Sequence, residues 1–81
     1  MDLNEIVSQK TLDAIGLSCP LPLLKTKKTL AAMDLGEILE ILSSDPGSQK
    51  DIPKYCKKNG NTFLGSIPSK NGVTKYFIQK G

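Results

Sequence analysis

Two thiols, Cys19 and Cys56, are the strongest nucleophiles in this chain of 81 residues, and the chain holds no histidine. That combination excludes several chemistries. A Ser-His-Asp or Cys-His scheme needs an imidazole base. A zinc site usually takes four Cys or His ligands, or three in a catalytic site, more than two cysteines supply. Two cysteines are also fewer than the four or more that staple small secreted domains. There is no Cys-x-x-Cys pair for thiol redox work.

Cys19 stands in Gly16-Leu17-Ser18-Cys19-Pro20-Leu21-Pro22. Its place between a strand-ending glycine and a helical stretch predicts that it is the N-cap of the first helix. A helix N-terminus carries about half a positive charge. That charge favours the thiolate, the form that attacks. Pro20 then falls at the first helical position, where its missing N–H is no loss. Pro22 falls at the third, another position without an intrahelical acceptor. Two N–H groups are thereby removed, so the Leu21 N–H is the donor expected to face the sulfur. Moderate activation follows, which suits a sulfur that must both attack and leave. Leu21 precedes a proline and is pushed from helical angles, so a distorted first turn is expected. The same placement also suits a cysteine that only packs or caps weakly. The two prolines, unhelpful to an ordinary helix, favour the reactive reading. Cys56 follows Ile52 by one turn and neighbours Tyr55, which predicts core packing. A Cys19–Cys56 disulfide is not expected, because one residue sits at a helix tip and the other within a helix.

The elements that must position these residues are legible from periodicity. Thr11 to Ile15 reads as a strand ending at Gly16. Pro20 to Met33 reads as a helix whose apolar stripe is Leu23, Leu24, Leu30 and Ala31. Gly36 suits the left-handed conformation that closes it. Glu37 to Ser43 is a strand apolar enough to be central. After the Asp45-Pro46-Gly47 turn, Ser48 opens a second helix, with Asp51 as a capping-box partner or itself the N-cap. Pro53 should confine the start of that helix. Asn59-Gly60 ends it. Asn61 to Ile67 and Val73 to Lys80 are strands joined by Asn71-Gly72, a hairpin signal. The last strand is read as an edge where Lys75 and Lys80 would discourage pairing with another chain. The order β-α-β-α-β-β predicts an α+β two-layer sandwich: a four-stranded mixed sheet with two helices on one face.

Length and composition agree. A chain of 81 residues is one small domain that buries roughly 60–65% of its unfolded surface. At 38% hydrophobic and 23% charged it suits a globular fold, not a disordered tail. No stretch is long and apolar enough to span a membrane, no targeting segment is visible, and a cytoplasmic setting with reduced thiols is expected. The net charge is +3 and every basic residue is lysine. Lysine lacks the forked geometry for reading bases, so direct nucleic-acid binding is not expected. Lys25, Lys27 and Lys28 lie on the first helix and Lys54, Lys57 and Lys58 on the second. They form either a solvated face or a docking surface for an acidic protein or an RNA backbone. Lys27 interrupts the apolar stripe and should run its stem along the sheet edge. Tyr55, Phe63, Tyr76 and Phe77 occupy core-compatible positions.

Leu12-Asp13, Gly16-Leu17, Cys19-Pro20-Leu21-Pro22, Gly36-Glu37, Asp45-Pro46 and Asp51-Ile52-Pro53 together resemble the TusA/SirA-like family of sulfur carriers. The likeness runs from about residue 11 to the C-terminus. It implies the same sandwich over residues 10–81, with residues 1–9 as a flexible N-terminal arm. It implies that Cys19 is the catalytic, persulfide-bearing cysteine of a sulfurtransferase-type carrier. Pro20 and Pro22 would be the motif prolines shaping its helix start. It also implies a sulfur relay: a cysteine desulfurase or rhodanese-like donor, a downstream acceptor protein, and an output such as tRNA thiolation or sulfur metabolism. No bound cofactor or metal is expected. One departure is Asn61, which stands where many members have His. The competing reading is an RNA-binding or regulatory domain using the lysine-rich helical face.

Overall fold

The computed structural model describes residues 8–18 and 21–81. Cys19, Pro20 and residues 1–7, most of the expected arm, lie outside the described residues. Six elements follow in the expected order: strand β1 (Lys10–Ala14), helix α1 (Leu21–Ala31), strand β2 (Ile38–Ser43), helix α2 (Ser48–Asn59), strand β3 (Thr62–Pro68) and strand β4 (Thr74–Gln79). The strands form one mixed sheet in the order β1-β2-β4-β3. β1 and β2 run parallel, and β4 is antiparallel to both β2 and β3.

Alternation decides which face of the sheet the helices cover. In β2, Leu39, Ile41 and Ser43 are buried while Ile38, Glu40 and Leu42 are partly exposed. Leu39 pairs with Ile78, and Ile41 with Tyr76 and Leu12, so these side chains share a face. Leu30 and Met33 from the α1 side, and Ile52 and Cys56 from α2, pack with them in one cluster. The result is the expected two-layer α+β sandwich with both helices on one face.

Three local expectations are corrected. First, the α1 stripe is rotated. Its buried residues are Pro22, Thr26 and Leu30, whereas Leu24 is 54% exposed and Ala31 is also exposed. Thr26 can be buried because its hydroxyl donates to the Pro22 carbonyl at 2.7 Å. Second, α2 begins without a capping box. Its N-cap is Gly47, with no side-chain cap bond. Ser48 is buried, and its hydroxyl lies 3.0 Å from that of Ser43. The first N–H groups are served by short-range bonds instead: Ser48 to the Asp45 carbonyl, Gln49 to Pro46 and Lys50 to Gly47. Pro53 therefore sits beyond the first turn. The Gln49 carbonyl it cannot serve belongs to an exposed residue.

Third, the last strand is interior, not an edge, because the β3–β4 hairpin folds back and lays β4 on β2. Lys75 reaches to 3.8 Å from Glu40 across that pair. The Lys80 N–H donates to the Glu37 carbonyl, its carbonyl accepts from Gly36, and its ammonium donates to the Met33 carbonyl at 2.6 Å. The C-terminal segment is thus fastened to the loop between α1 and β2. The edges are β1 and β3, and β3 is broken by a bulge between Phe63 and Gly65 and ends on Pro68.

Candidate functional site

The segment leading to position 19 leaves β1 through a tight turn. The Leu17 N–H donates to the Ala14 carbonyl at 3.2 Å, closing four residues, and Gly16 has φ 83°. A positive φ at the third position is what a type II turn demands, and glycine meets it without strain. Two side chains brace the turn: Asp13 Oδ1 accepts from the Ile15 N–H, and Ser44 Oγ accepts from the Gly16 N–H, each at 3.0 Å. The second contact ties the turn after β1 to the loop after β2.

On the far side of position 19, the described part of α1 runs from Leu21. The Leu21 N–H donates to the Ser18 carbonyl at 2.9 Å. This corrects the expectation that it faces the Cys19 sulfur: the donor is already used. It serves a carbonyl that Pro22, lacking an N–H, could not serve. Leu21 is helical despite preceding a proline. Pro22 is fully buried, which anchors the first turn of α1. Cys19 and Pro20 lie outside the described residues, between Ser18 and Leu21 in sequence. In the described residues on either side of them in sequence, three aliphatic side chains stand open to solvent: Ile15 at 48%, Leu21 at 46% and Leu24 at 54%.

Beside the turn lies a polar loop whose function the sequence did not signal beyond a turn. Its ingredients, Ser43-Ser44-Asp45-Pro46-Gly47-Ser48, are turn and capping residue types. Asp45 Oδ1 accepts from the Gly47 N–H at 3.3 Å, and Ser43 Oγ accepts from the Asp45 N–H at 3.2 Å. The other Asp45 carboxylate oxygen and the Tyr76 hydroxyl are buried without a hydrogen-bond partner among the described residues. Burial raises the Tyr76 phenol above its ordinary value; the Thr74 side chain opposes the rise and the nearby Asp45 charge adds to it.

Cys56 is a core residue as expected. It is 1% exposed within the main cluster and carries a free thiol. Burial pushes that thiol up to about 11, which leaves it neutral and unreactive at ordinary pH. Among the described residues no group of three or more His, Cys, Asp and Glu could hold a metal ion, and no helix is long and apolar enough to cross a membrane. Lys27 does not run along the sheet edge; it lines the groove between the two helices with Lys54, Tyr55 and Lys58.

Comparison with known proteins places this architecture. Residues 10–80 match the family described as Sulfurtransferase TusA. The chain belongs to the TusA family. The sulfur carrier protein TusA of Allochromatium vinosum is 45% identical over 69 residues, covering 85% of this chain and 90% of that TusA protein. A protein of Aquifex aeolicus named as a candidate sulfur carrier is 37% identical over 78 residues, but this TusA-like chain spans just 39% of its length. The crystal structure of a SirA-like protein from Desulfitobacterium hafniense superposes with a TM-score of 0.78 at 29% identity, covering 89% of this chain and 97% of that one. The TusA fold is therefore the fold described above.

Proposed function

We propose that this chain is a sulfur carrier that bears its cargo as a persulfide on Cys19. The observation that carries the reading is the framework around position 19. A tight glycine turn, braced by Ser44, delivers the chain on one side, and an anchored helix start with a buried proline receives it on the other. Within that framework the TusA family match and the single remaining thiol coincide, since Cys56 is buried and protonated. The helix dipole favours the thiolate, and with the Leu21 N–H already given to Ser18 the activation stays moderate, so the sulfur remains a competent leaving group.

The reaction conserves redox state. The Cys19 thiolate attacks the outer sulfur of a donor persulfide, R–S–SH. A new S–S bond forms, the donor S–S bond breaks, and the donor leaves as a thiolate that takes up a proton. Cys19–S–SH then yields its outer sulfur to an acceptor thiolate by the same displacement, which restores the Cys19 thiolate. The donor is a cysteine desulfurase or a rhodanese-like protein and the acceptor a downstream protein, in a relay toward tRNA thiolation or sulfur metabolism. Pro20 and Pro22 shape the helix start. The working domain is residues 10–81, with residues 1–9 as an arm that joins it where Gln9 bonds Ile38. The setting is cytoplasmic, where thiols stay reduced.

Intact mass spectrometry after incubation with a cysteine desulfurase and cysteine tests this. Wild type and Cys56→Ser should each gain one sulfur atom, and Cys19→Ser none. An equal gain in Cys19→Ser would overturn the assignment.

A further inference from the structure

Charge is unevenly divided between the two layers. Seven of the eleven lysines and one of the eight acidic residues lie on α1 and α2. The helical layer thus carries +6 and the rest of the chain −3. The positive charge also has a shape to act through. A groove of about 480 Å³ runs between the helices, lined by Leu23 and Lys27 of α1 and by Asp51, Lys54, Tyr55, Lys58 and Asn59 of α2, so three lysines stand there against one carboxylate. It continues into a second depression of about 280 Å³ where Leu30, Asn61 and Lys80 join the wall. Across α1 a third, of about 490 Å³, holds the exposed Leu21 and Leu24 beside Lys25 and Lys28. Lys27 lines all three. With the α1 stripe rotated, Lys27 lies on the exposed side beside Leu24 and Ala31, at the centre of this surface.

We propose that the α1–α2 groove docks an acidic segment of a partner protein, with carboxylates set against Lys27, Lys54 and Lys58 and an aliphatic anchor against the leucines. One observation favours carboxylates of a polypeptide over phosphates of RNA: the charged surface is interleaved with open leucines, for which a nucleic-acid backbone has no counterpart. The surface begins at Leu21, two residues after Cys19 in sequence, so a segment seated there holds its parent protein at the transfer site. The inference rests on the carrier reading for the partner's role and adds the partner's chemistry. Its steering should weaken as salt screens the lysines.

The test uses the full chain and a short synthetic peptide of repeating Glu-Glu-Leu units, titrated at physiological ionic strength and followed by amide chemical shifts. Saturable binding is expected, with shifts concentrated at Leu23, Lys27, Tyr55 and Lys58. The double variant Lys27→Glu, Lys58→Glu should bind at least about tenfold more weakly, whereas Lys10→Glu, on β1, should match wild type. Cys19→Ser should also bind as wild type does, so a failure of sulfur loading and a failure of docking read out separately. Shifts on the open face of the sheet, or equal binding by the double variant, would overturn the proposal. Tighter binding of a single-stranded RNA oligonucleotide at the same residues would overturn the choice of occupant.

Discussion

At the residue scale the two thiols are opposites. Cys56 is sealed in the core with its thiol raised to about 11, from an ordinary value of 9.0, mainly by burial. The folded chain therefore holds a proton that the unfolded chain loses as pH rises past 9. The stability that this group contributes is complete below pH 9 and is lost as pH rises toward 11. Urea unfolding should show stability falling between those values by on the order of 2 kcal/mol. The raised Tyr55 and Tyr76 phenols act in the same direction. Cys56→Val should have a shallower slope; an unchanged slope would assign the effect to the tyrosines. Tyr76 carries a second prediction. Its buried hydroxyl has only the Thr74 side chain nearby and no well-formed hydrogen bond among the described residues, and such a group costs about 1–3 kcal/mol. Tyr76→Phe should thus match or exceed wild type in a denaturant titration.

At the element scale, what the sequence made legible and what it hid follow one distinction. Strand and helix existence rested on periodicity, and Ile52 with Cys56 on α2 were placed on the correct face. The phase of α1 was not legible, because counting apolar residues favours Leu24 over Thr26. The deciding contact, a Thr26 hydroxyl closed on the Pro22 carbonyl, hides the polar atom that makes threonine look like a surface residue. The Ser48 capping box failed for a related reason: its hydroxyl pairs with Ser43, a partner visible only once β2 and α2 meet. The position of β4 was hidden too, since hairpin turns fix neighbours but not which strand the hairpin joins. The rotated stripe predicts an asymmetry. Leu24→Ser should change stability by less than about 0.5 kcal/mol, as for an ordinary surface site. Leu30→Ala, at 3% exposure, should cost about 2–5 kcal/mol. Thermal unfolding of the two variants checks the phase directly.

At the scale of the whole molecule, the sandwich segregates its tasks. The sheet and the inner helix faces form the core. At one end of the sheet, the turn after β1, which leads in sequence to position 19, is tied to the loop after β2. The outer helical layer holds most of the positive charge. A domain this small can do without a deep pocket if its chemistry is completed by larger proteins on either side of it, and the absence of histidine from the chain fits that division. The central claim is that one particular sulfur carries the cargo, and trypsin separates the two candidates cleanly. Cys19 falls in the peptide from Thr11 to Lys25 and Cys56 in the peptide from Tyr55 to Lys57. After loading by a desulfurase, alkylation and digestion, the extra sulfur should map to the Thr11–Lys25 peptide. Its appearance on the Tyr55–Lys57 peptide instead would contradict the account.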